Sequence, residues 1–445
     1  MRWRFLCCVY LWAVLGACGT MAERACAQTT PGGRHDCRAT DVANPEKGWA
    51  AEEFGTENEI VIPSLEDGIQ FQPSSTAPWK VALRHPGESG NSFVPGGLRE
   101  CIQFWDTVVL KEHPLRDRIL TWLRHGVTVY EFLLDDAKGS EIDSPFNESS
   151  FPGEIYPNRI PETFTAFVNT EVHDLHLRGC IVPWKQVRAP DSPLRPRILQ
   201  TRSIEPTKPR LIYDARPLNK HCKHVPFTMD TVGTVAQSGW RGCYQGSLDD
   251  TEGFHHVTLH PASWELFGFV WAGVDYVWTT LPFGFSASPY LYHTLSEARA
   301  QYIRSKGIPA LVFIDDAWIC TARNACNGSD RQQWLSAAHA LRFAASVSYL
   351  CGYYLSRRKC EMVPVRELRY LGIIFDSQRA VFRVPADKLV KLRSLILDVF
   401  RDQRVTAPTL EKIVGEMLKY AGSSATSSAV DALHVQSAIT SSAFA

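Results

Sequence analysis

The stretch Ala310-Leu-Val-Phe-Ile-Asp-Asp-Ala-Trp-Ile-Cys320 places two adjacent carboxylates, Asp315 and Asp316, between two short apolar runs. The runs contain β-branched and aromatic residues, which predicts two strands joined by a turn at the acidic pair. If these flanks are buried, the two carboxylates repel each other and resist ionising unless a divalent cation lies against them. Taken alone, the pair favours a simpler interpretation, a hairpin turn with exposed aspartates.

Three stretches upstream change that interpretation. Gly246-Ser-Leu-Asp-Asp-Thr-Glu-Gly-Phe-His-His-Val-Thr-Leu259 carries a third candidate carboxylate, Asp249, at the end of a short apolar segment. Residues 280–289, Thr-Leu-Pro-Phe-Gly-Phe-Ser-Ala-Ser-Pro, predict a loop dense in glycine, proline and small residues. Residues 208–219, Lys-Pro-Arg-Leu-Ile-Tyr-Asp-Ala-Arg-Pro-Leu-Asn, precede both. In this order the stretches resemble the reverse transcriptases of retroelements, and the order is far more specific than any one match.

The resemblance implies an α+β fold, a right-hand polymerase with fingers, a palm whose antiparallel sheet packs on helices, and a helical thumb. It covers residues 162–375 well and the flanking sequence weakly. The predicted organisation is a leader-like segment at 1–27, an irregular, disordered segment at 28–92, a helical extension and linker at 93–161, fingers and palm at 162–376, and a truncated helical thumb or connection at 377–445. We recognise no ribonuclease H, integrase or recombinase pattern in the sequence.

The implied activity is that of an RNA-directed DNA polymerase, which adds deoxynucleotides to a primer 3′-hydroxyl on an RNA or DNA template. In the resemblance Asp249, Asp315 and Asp316 hold two Mg²⁺ ions. Because the ligands are all oxygen, Mn²⁺ could substitute. The implied partners are primed template and deoxynucleoside triphosphates, with no stable protein partner and no membrane span. The balanced charge, 47 basic and 47 acidic residues, neither supports nor excludes a basic groove for nucleic acid.

Other positions match the nucleotide site of the family. Arg210 would grip the triphosphate, because a guanidinium donates two parallel hydrogen bonds; the alternative is a solvated strand charge. Phe254, five residues after Asp249, would exclude a 2′-hydroxyl by steric contact, or it is an ordinary core residue. Phe283 and Gly284 lie in the loop, where glycine allows the backbone to approach the nucleotide closely.

Two further matches lie downstream. Lys359 is a candidate proton donor to pyrophosphate, and a plain surface lysine is an equal alternative. Leu371 and Gly372 match the turn of the primer grip, where the backbone meets the primer end. Asp214 and Arg216 are expected to brace the fold rather than touch the substrate.

The sequence departs from the retroviral pattern at two positions. Retroviral enzymes usually have glutamine where Phe283 stands, and the family usually has tyrosine where Phe313 stands. Phenylalanine in the loop is common in gypsy-type, pararetroviral and tyrosine-recombinase (DIRS-like) elements, so the resemblance points to a retrotransposon. The alternatives are an RNA-dependent RNA polymerase, against which Phe254 argues, and an inactive or domesticated palm that binds nucleic acid.

The N-terminal sequence leaves the cellular location of the protein open. Met1-Arg-Trp-Arg4, an apolar run at 5–17 and the small residues of Ala25-Cys-Ala27 are typical of a secretory signal peptide. One alternative is that the leader-like sequence is an accidental start. We favour this alternative, and an intracellular site, because a polymerase needs nucleotides and template. Another alternative is a secreted protein that is not an enzyme. The 13 cysteines show no zinc-finger or disulfide spacing, which predicts free thiols in the core.

Several local predictions can be compared directly with the structure. Residues 98–123 predict one or two amphipathic helices broken at Pro114, and 127–134 predict a strand. Residues 264–278 predict a strand pair turning at 272–275, and 190–196 predict a flexible fingertip. Helices are also predicted at 162–177, after 289, at 332–350, at 385–400 and at 409–421.

Overall fold

The structure is a computed structural model that describes residues 93–135, 160–188, 196–205, 208–238, 241–321, 325, 327–402, 406 and 409–415. All of them lie within one unit of the chain, Ser64–Ala445. The predicted leader, the irregular segment at 28–92, nearly all of the fingertip and residues 416–421 of the last helix lie outside the described residues. The described fold mixes helices with mainly antiparallel sheets.

The described strands are numbered in chain order. They are β1 Ile181–Pro183, β2 Pro196–Glu205, β3 Lys208–Asp214, β4 Gln245–Asp249, β5 Gly268–Trp271, β6 Val274–Trp278, β7 Ala310–Phe313, β8 Asp316–Cys320, β9 Glu361–Val365, β10 Glu367–Tyr370, β11 Ile373–Asp376 and β12 Val381–Arg383.

The longer described helices are α1 Arg116–His125, α2 Thr165–Arg178, α3 Ser288–Ser305, α4 Asp330–Leu350 and α5 Ala386–Asp402. Short α-helical turns are Gly97–Glu100, Ile102–Phe104, Trp184–Val187, Arg216–Asn219 and Val232–Gln237, with a π-helical turn at Trp105–Val109. The described 3₁₀ turns are Val129–Phe132, Glu162–Phe164, Gly253–His256 and Pro261–Phe267. Residues 409–415 are helical, which confirms the start of the last predicted helix.

A four-stranded antiparallel sheet, in the order β7-β8-β4-β9, forms the centre of the fold. Helix α4 packs against β4, β8 and β9, and α3 packs against β7. Trp318 on β8 is fully buried, and its indole N–H donates to the Gln245 side-chain oxygen (2.8 Å). The Gln245 amide then donates to the Phe375 carbonyl (2.8 Å), which links this sheet to the β10-β11-β12 sheet.

A five-stranded sheet, in the order β1-β6-β5-β2-β3, lies on the other side of the loop at 280–289. Its pairs are antiparallel except β2 with β5, which run parallel. Strands β2 and β3 pair from Ile198 with Asp214 to Glu205 with Lys208. The Tyr213 N–H of β3 donates to the Phe283 carbonyl (3.1 Å), so this sheet holds the start of the loop.

One local prediction was wrong, and a second was confirmed over a shorter range than expected. Residues 127–134 form the 3₁₀ turn Val129–Phe132 instead of a strand, because Val127 and Leu133 make isolated bridges to separate partners, Leu259 and Cys222. The segment therefore crosses between elements, and its apolar side chains are buried without a continuous strand beside it.

The strand pair predicted for 264–278 is shorter than expected. Its first residues belong to the 3₁₀ turn Pro261–Phe267, which starts with proline and is capped by His260. The hairpin turn narrows to Ala272 and Gly273, whose φ values of +48° and +76° suit a two-residue turn.

The helical segment before α2 packs against the residues that follow α4. The predicted break at Pro114 is confirmed, and α1 ends with Gly126 as its C-cap. The Trp105 indole N–H donates to the Cys351 carbonyl (2.9 Å). A Cβ on Gly352 would lie 2.1 Å from the Gly97 carbonyl oxygen, so glycine is required where these two backbones meet.

None of the helices in the described ranges is long and apolar enough to cross a membrane. Cys243, Cys320, Cys351 and Cys360 are not in disulfide bonds, and the first three are buried.

Candidate active site

The structure brings Asp249, Asp315 and Asp316 to one edge of the central sheet. Asp249 ends β4 and pairs in register with Asp316, the first residue of β8. Phe313 pairs with Asp316 across β7 and β8, so the hairpin turn consists of Ile314 and Asp315. The strand-turn-strand prediction is therefore confirmed. The carboxylates are buried or half-buried, which rules out the simpler interpretation of an exposed turn.

The acidic turn is held in an unusual backbone conformation. Ile314 has φ +58°, in the left-handed region that β-branched residues rarely adopt. The Asp315 carbonyl accepts the Asp250 N–H (3.0 Å), which ties the turn to the end of β4. Such a conformation persists only where surrounding contacts fix it, and it is common at functional sites.

Burial and mutual repulsion disfavour the charged forms of these carboxylates. Burial raises the pKa of Asp249 and of Asp315 above the usual aspartate range. The pKa of Asp316 is raised to about 7, first by burial and then by the charges of Asp315 and Asp249. A nearby cation would lower all three pKa values and favour the ionised forms.

Lys359 supplies a positive charge at this edge. Its ammonium donates to both carboxylate oxygens of Asp249, at 3.0 and 3.2 Å. The side chain is 65% exposed, and the turn that carries it is fixed by the Ser356 N–H, which donates to the Asp249 carbonyl (2.8 Å). The lysine is therefore neither buried nor a plain surface residue, and its pairing with Asp249 was not predicted from the sequence.

The donor chemistry of this edge fits a hard divalent cation. Carboxylate oxygens are the ligands that Mg²⁺ and Mn²⁺ prefer, and the raised pKa values mark charges that a cation would stabilise. Across the described ranges, no group of three or more His, Cys, Asp and Glu side chains is already gathered closely enough to hold a metal ion.

Phe254 lies beside the acidic edge on the 3₁₀ turn Gly253–His256. A Cβ on Gly253 would lie 3.8 Å from the Asp315 Cβ, which shows how closely this turn approaches the acidic turn. The Phe254 ring is half-buried, 5.1 Å from the Phe283 ring and 5.8 Å from the Tyr292 ring between centroids. The ring is therefore partly exposed beside the carboxylates, and its role in excluding a 2′-hydroxyl stays a prediction.

The loop at 280–289 is fixed by β3 and by Asn219. Gly284 has φ +112°, and a Cβ there would lie 2.1 Å from the Tyr213 carbonyl oxygen. The required absence of a side chain is thus explained by contact within the chain, while close approach to a nucleotide stays a prediction. Asn219 clamps the loop, since its amide donates to the Gly284 carbonyl and its oxygen accepts the Ser286 N–H, both at 2.9 Å.

Phe283 and Arg210 are both exposed to solvent. Phe283 is 40% exposed above the Phe254 ring. Arg210 is exposed on β3, opposite Arg202 of β2 in the strand register. The predicted brace is present nearby, where the buried Asp214 carboxylate accepts two hydrogen bonds from the Arg216 guanidinium (2.7 and 2.5 Å).

The predicted primer-grip turn is a tight hairpin between β10 and β11. Leu371 and Gly372 have φ +49° and +76°, as a two-residue turn requires. Leu371 packs against the core cluster that contains Trp318. The Tyr370 hydroxyl donates to the Asp316 carbonyl (3.0 Å), so this turn is connected to the acidic edge.

Sequence reasoning missed a buried charge network next to these carboxylates. Asp250 is 2% exposed, and its carboxylate accepts hydrogen bonds from both terminal guanidinium nitrogens of Arg299 (3.0 and 2.8 Å) and from the Tyr292 hydroxyl (2.6 Å). One signal was available: Tyr292, Leu295 and Arg299 share one face of the helix after the loop. An arginine on an apolar helix face requires an acidic partner, because a buried charge is almost always paired.

Comparison with known proteins identifies the region that contains this site. The profile of the reverse transcriptase (RNA-dependent DNA polymerase) family matches residues 198–375. The chain is 31% identical over 165 residues to the Pro-Pol polyprotein of Simian foamy virus type 1, covering 37% of this chain and 13% of that protein. It is 27% identical over 227 residues to the Pro-Pol polyprotein of Simian foamy virus type 3 (strain LK3), covering 50% and 17%. The chain thus matches less than a fifth of each polyprotein.

Solved structures give weaker similarities. A structure of the foamy viral protease-reverse transcriptase dRH in complex with ds DNA aligns with TM-score 0.46 and 18% identity, over 72% of this chain and 52% of that one. A complex of the foamy viral protease-reverse transcriptase with RNA/DNA hybrid aligns with TM-score 0.45 and 17% identity, over 72% and 40%. The family match covers all three carboxylates and confirms the resemblance that the motif order implied. This chain therefore carries a reverse transcriptase domain at residues 198–375.

Proposed function

We propose that this protein is an RNA-directed DNA polymerase of a retrotransposon, which extends a primer with deoxynucleotides on an RNA or DNA template. One observation carries the proposal. The strands that the family profile covers bring Asp249, Asp315 and Asp316 to one sheet edge, where their charges are disfavoured without a cation. Such a carboxylate set is what two-metal nucleotidyl transfer requires.

The three carboxylates would hold Mg²⁺ or Mn²⁺. When bound, the ions would activate the primer 3′-hydroxyl and stabilise the charge that develops on the leaving pyrophosphate. The ammonium of Lys359, 3.0 Å from Asp249, would donate a proton to that pyrophosphate once released from the carboxylate. Arg210, exposed on β3, would bind the triphosphate through its forked guanidinium.

Other residues would select and position the substrates. The Phe254 ring would fill the space that a 2′-hydroxyl needs, and Phe283 and the Gly284 backbone would also contact the nucleotide. The turn at Leu371 and Gly372 would contact the primer end. Template and primer would be held mainly through phosphate and sugar, since these contacts do not depend on sequence.

In this proposal the two larger sheets belong to different parts of a right-hand polymerase. The β7-β8-β4-β9 sheet with α3 and α4 is the palm, and the five-stranded sheet belongs to the fingers. Helix α5 begins the thumb. The phenylalanine at 283 supports a gypsy-type or DIRS-like lineage over a retroviral one.

One observation favours a second candidate, a palm that binds nucleic acid without catalysis. The Lys359 ammonium is paired with Asp249, one of the carboxylates that would hold a metal ion. The two candidates differ in turnover, so extension of a primed homopolymer template by the purified full chain decides between them. We expect incorporation of deoxynucleotides that depends on Mg²⁺ or Mn²⁺ and stops with a chelator. Binding of the primed template without incorporation under either cation would overturn the polymerase assignment.

A further inference from the structure

Asp250 connects the main chains that carry the catalytic carboxylates. Its N–H donates to the Asp315 carbonyl (3.0 Å), and it forms an isolated antiparallel bridge with Leu355. The next residue, Thr251, donates its N–H to the Tyr354 carbonyl (2.7 Å). The backbone around Asp250 therefore determines where the end of β4 lies relative to the acidic turn.

The side chain of Asp250 fixes that backbone to the helical layer. Its carboxylate is bound by Arg299 and Tyr292 of α3, and the Arg299 side chain is 3% exposed. The same guanidinium donates to the Ser348 hydroxyl of α4 (3.1 Å) and lies 4.0 Å from the centre of the Tyr353 ring. One ion pair therefore joins β4, α3, α4 and the chain after α4.

Stability alone does not account for this pair. Two charges lose their hydration when buried, and apolar residues of similar volume often stabilise a fold as well or better. What apolar residues cannot reproduce is direction, because a bidentate arginine–carboxylate pair fixes both planes. The helix that carries Arg299 also begins directly after the loop containing Phe283 and Gly284.

We propose that the Asp250–Arg299 pair positions Asp249 and the Asp315 turn relative to the loop that precedes α3. The pair does not touch substrate, so both members are positioning residues. This inference rests on the proposed polymerase function. It predicts that the chemical step depends on the geometry of the pair even where the fold does not.

The test separates geometry from stability with two variants of the full chain. Asp250→Leu/Arg299→Met replaces both charges by apolar side chains, and Arg299→Lys keeps the charge but loses the fork. We measure the melting temperature, kcat and the KM for deoxynucleotide on a primed homopolymer template. The expected result is at least a tenfold fall in kcat for both variants, with KM changed less than threefold.

A matched control accounts for lost stability. Leu120→Ala removes a buried side chain of α1, away from the acidic edge. Assayed well below its melting temperature, it is expected to keep kcat within twofold of the unmutated protein. If Arg299→Lys matches this control in kcat, or if the double variant extends primers at the unmutated rate, the positioning role is overturned while the polymerase assignment stands. An unmutated protein without extension would overturn both.

Discussion

Asp249 and Asp250 are neighbours in sequence with opposite surroundings. Asp249 lies with Asp315 and Asp316, where burial and repulsion raise carboxylate pKa values and the cationic partner is a largely exposed lysine. Asp250 is enclosed by a buried arginine and a tyrosine hydroxyl that satisfy its oxygens. The difference shows how one acidic dipeptide can contain one carboxylate whose charged form is disfavoured, as expected of a metal ligand without its metal, and one whose charge is fixed by buried partners.

Removing the charge of Asp250, whose carboxylate oxygens are paired, should cause the largest loss of stability. Asp250→Asn leaves the Arg299 guanidinium buried without a counter-charge, and removing one partner of a buried pair typically costs about 3–5 kcal/mol. We expect the free energy of unfolding, measured with denaturant, to fall by that amount. Asp117→Asn, which alters an exposed ion pair on α1, is the control and should leave it unchanged. A loss for Asp250→Asn as small as that of the control would show that Asp250 is not a fixed structural charge.

Acid should lower the stability of the fold through two buried histidines. Burial lowers the pKa of His255 and of His256 to about 4, and the Tyr354 N–H donates to the His256 ring (3.0 Å), which requires a neutral acceptor nitrogen. Between pH 6.5 and 4 each of these histidines is more protonated in the unfolded chain than in the folded one, so its contribution to stability falls as the pH falls. The loss is on the order of 3 kcal/mol for each histidine by pH 4.

The histidine prediction is checked by measuring unfolding across this range without metal. His256→Gln should flatten part of the slope, since glutamine does not titrate. The carboxylates of Asp249, Asp315 and Asp316 act in the opposite direction, because raised aspartate pKa values favour the folded state at lower pH. A stability that rises steadily from pH 6.5 down to 4 would mean that the carboxylates outweigh the histidines.

Phe254 lies between the buried charge network and the loop at 280–289. Its ring contacts Tyr292 of the network and Phe283 of the loop. If it excludes the 2′-hydroxyl, Phe254→Val should raise the incorporation of ribonucleotides relative to deoxynucleotides about tenfold, or about 1.4 kcal/mol between competing transition states. The ratio is measured on one preparation beside a melting curve. An unchanged ratio with a lower melting temperature would identify a packing residue instead.

The comparison also shows what could be predicted from sequence. The hairpin at 310–320 was predictable because apolar runs flank an acidic turn, and the order of four stretches identified the domain. The strand at 127–134 was predicted wrongly because apolar alternation does not reveal whether a partner strand is present. Asp250 was overlooked since its partner lies 49 residues away, and Lys359 was linked to Asp249 only by folding.

The most direct test of the account is primer extension by Asp249→Asn under saturating Mg²⁺ or Mn²⁺. Removing one ligand of the carboxylate set should lower the rate by roughly a thousandfold, several kcal/mol of transition-state stabilisation. The unfolding free energy should not fall, because the lost charge lies among repelling neighbours and its cationic partner Lys359 is exposed. Near-normal incorporation by the folded variant would contradict the central claim that this edge of the sheet is the polymerase active site.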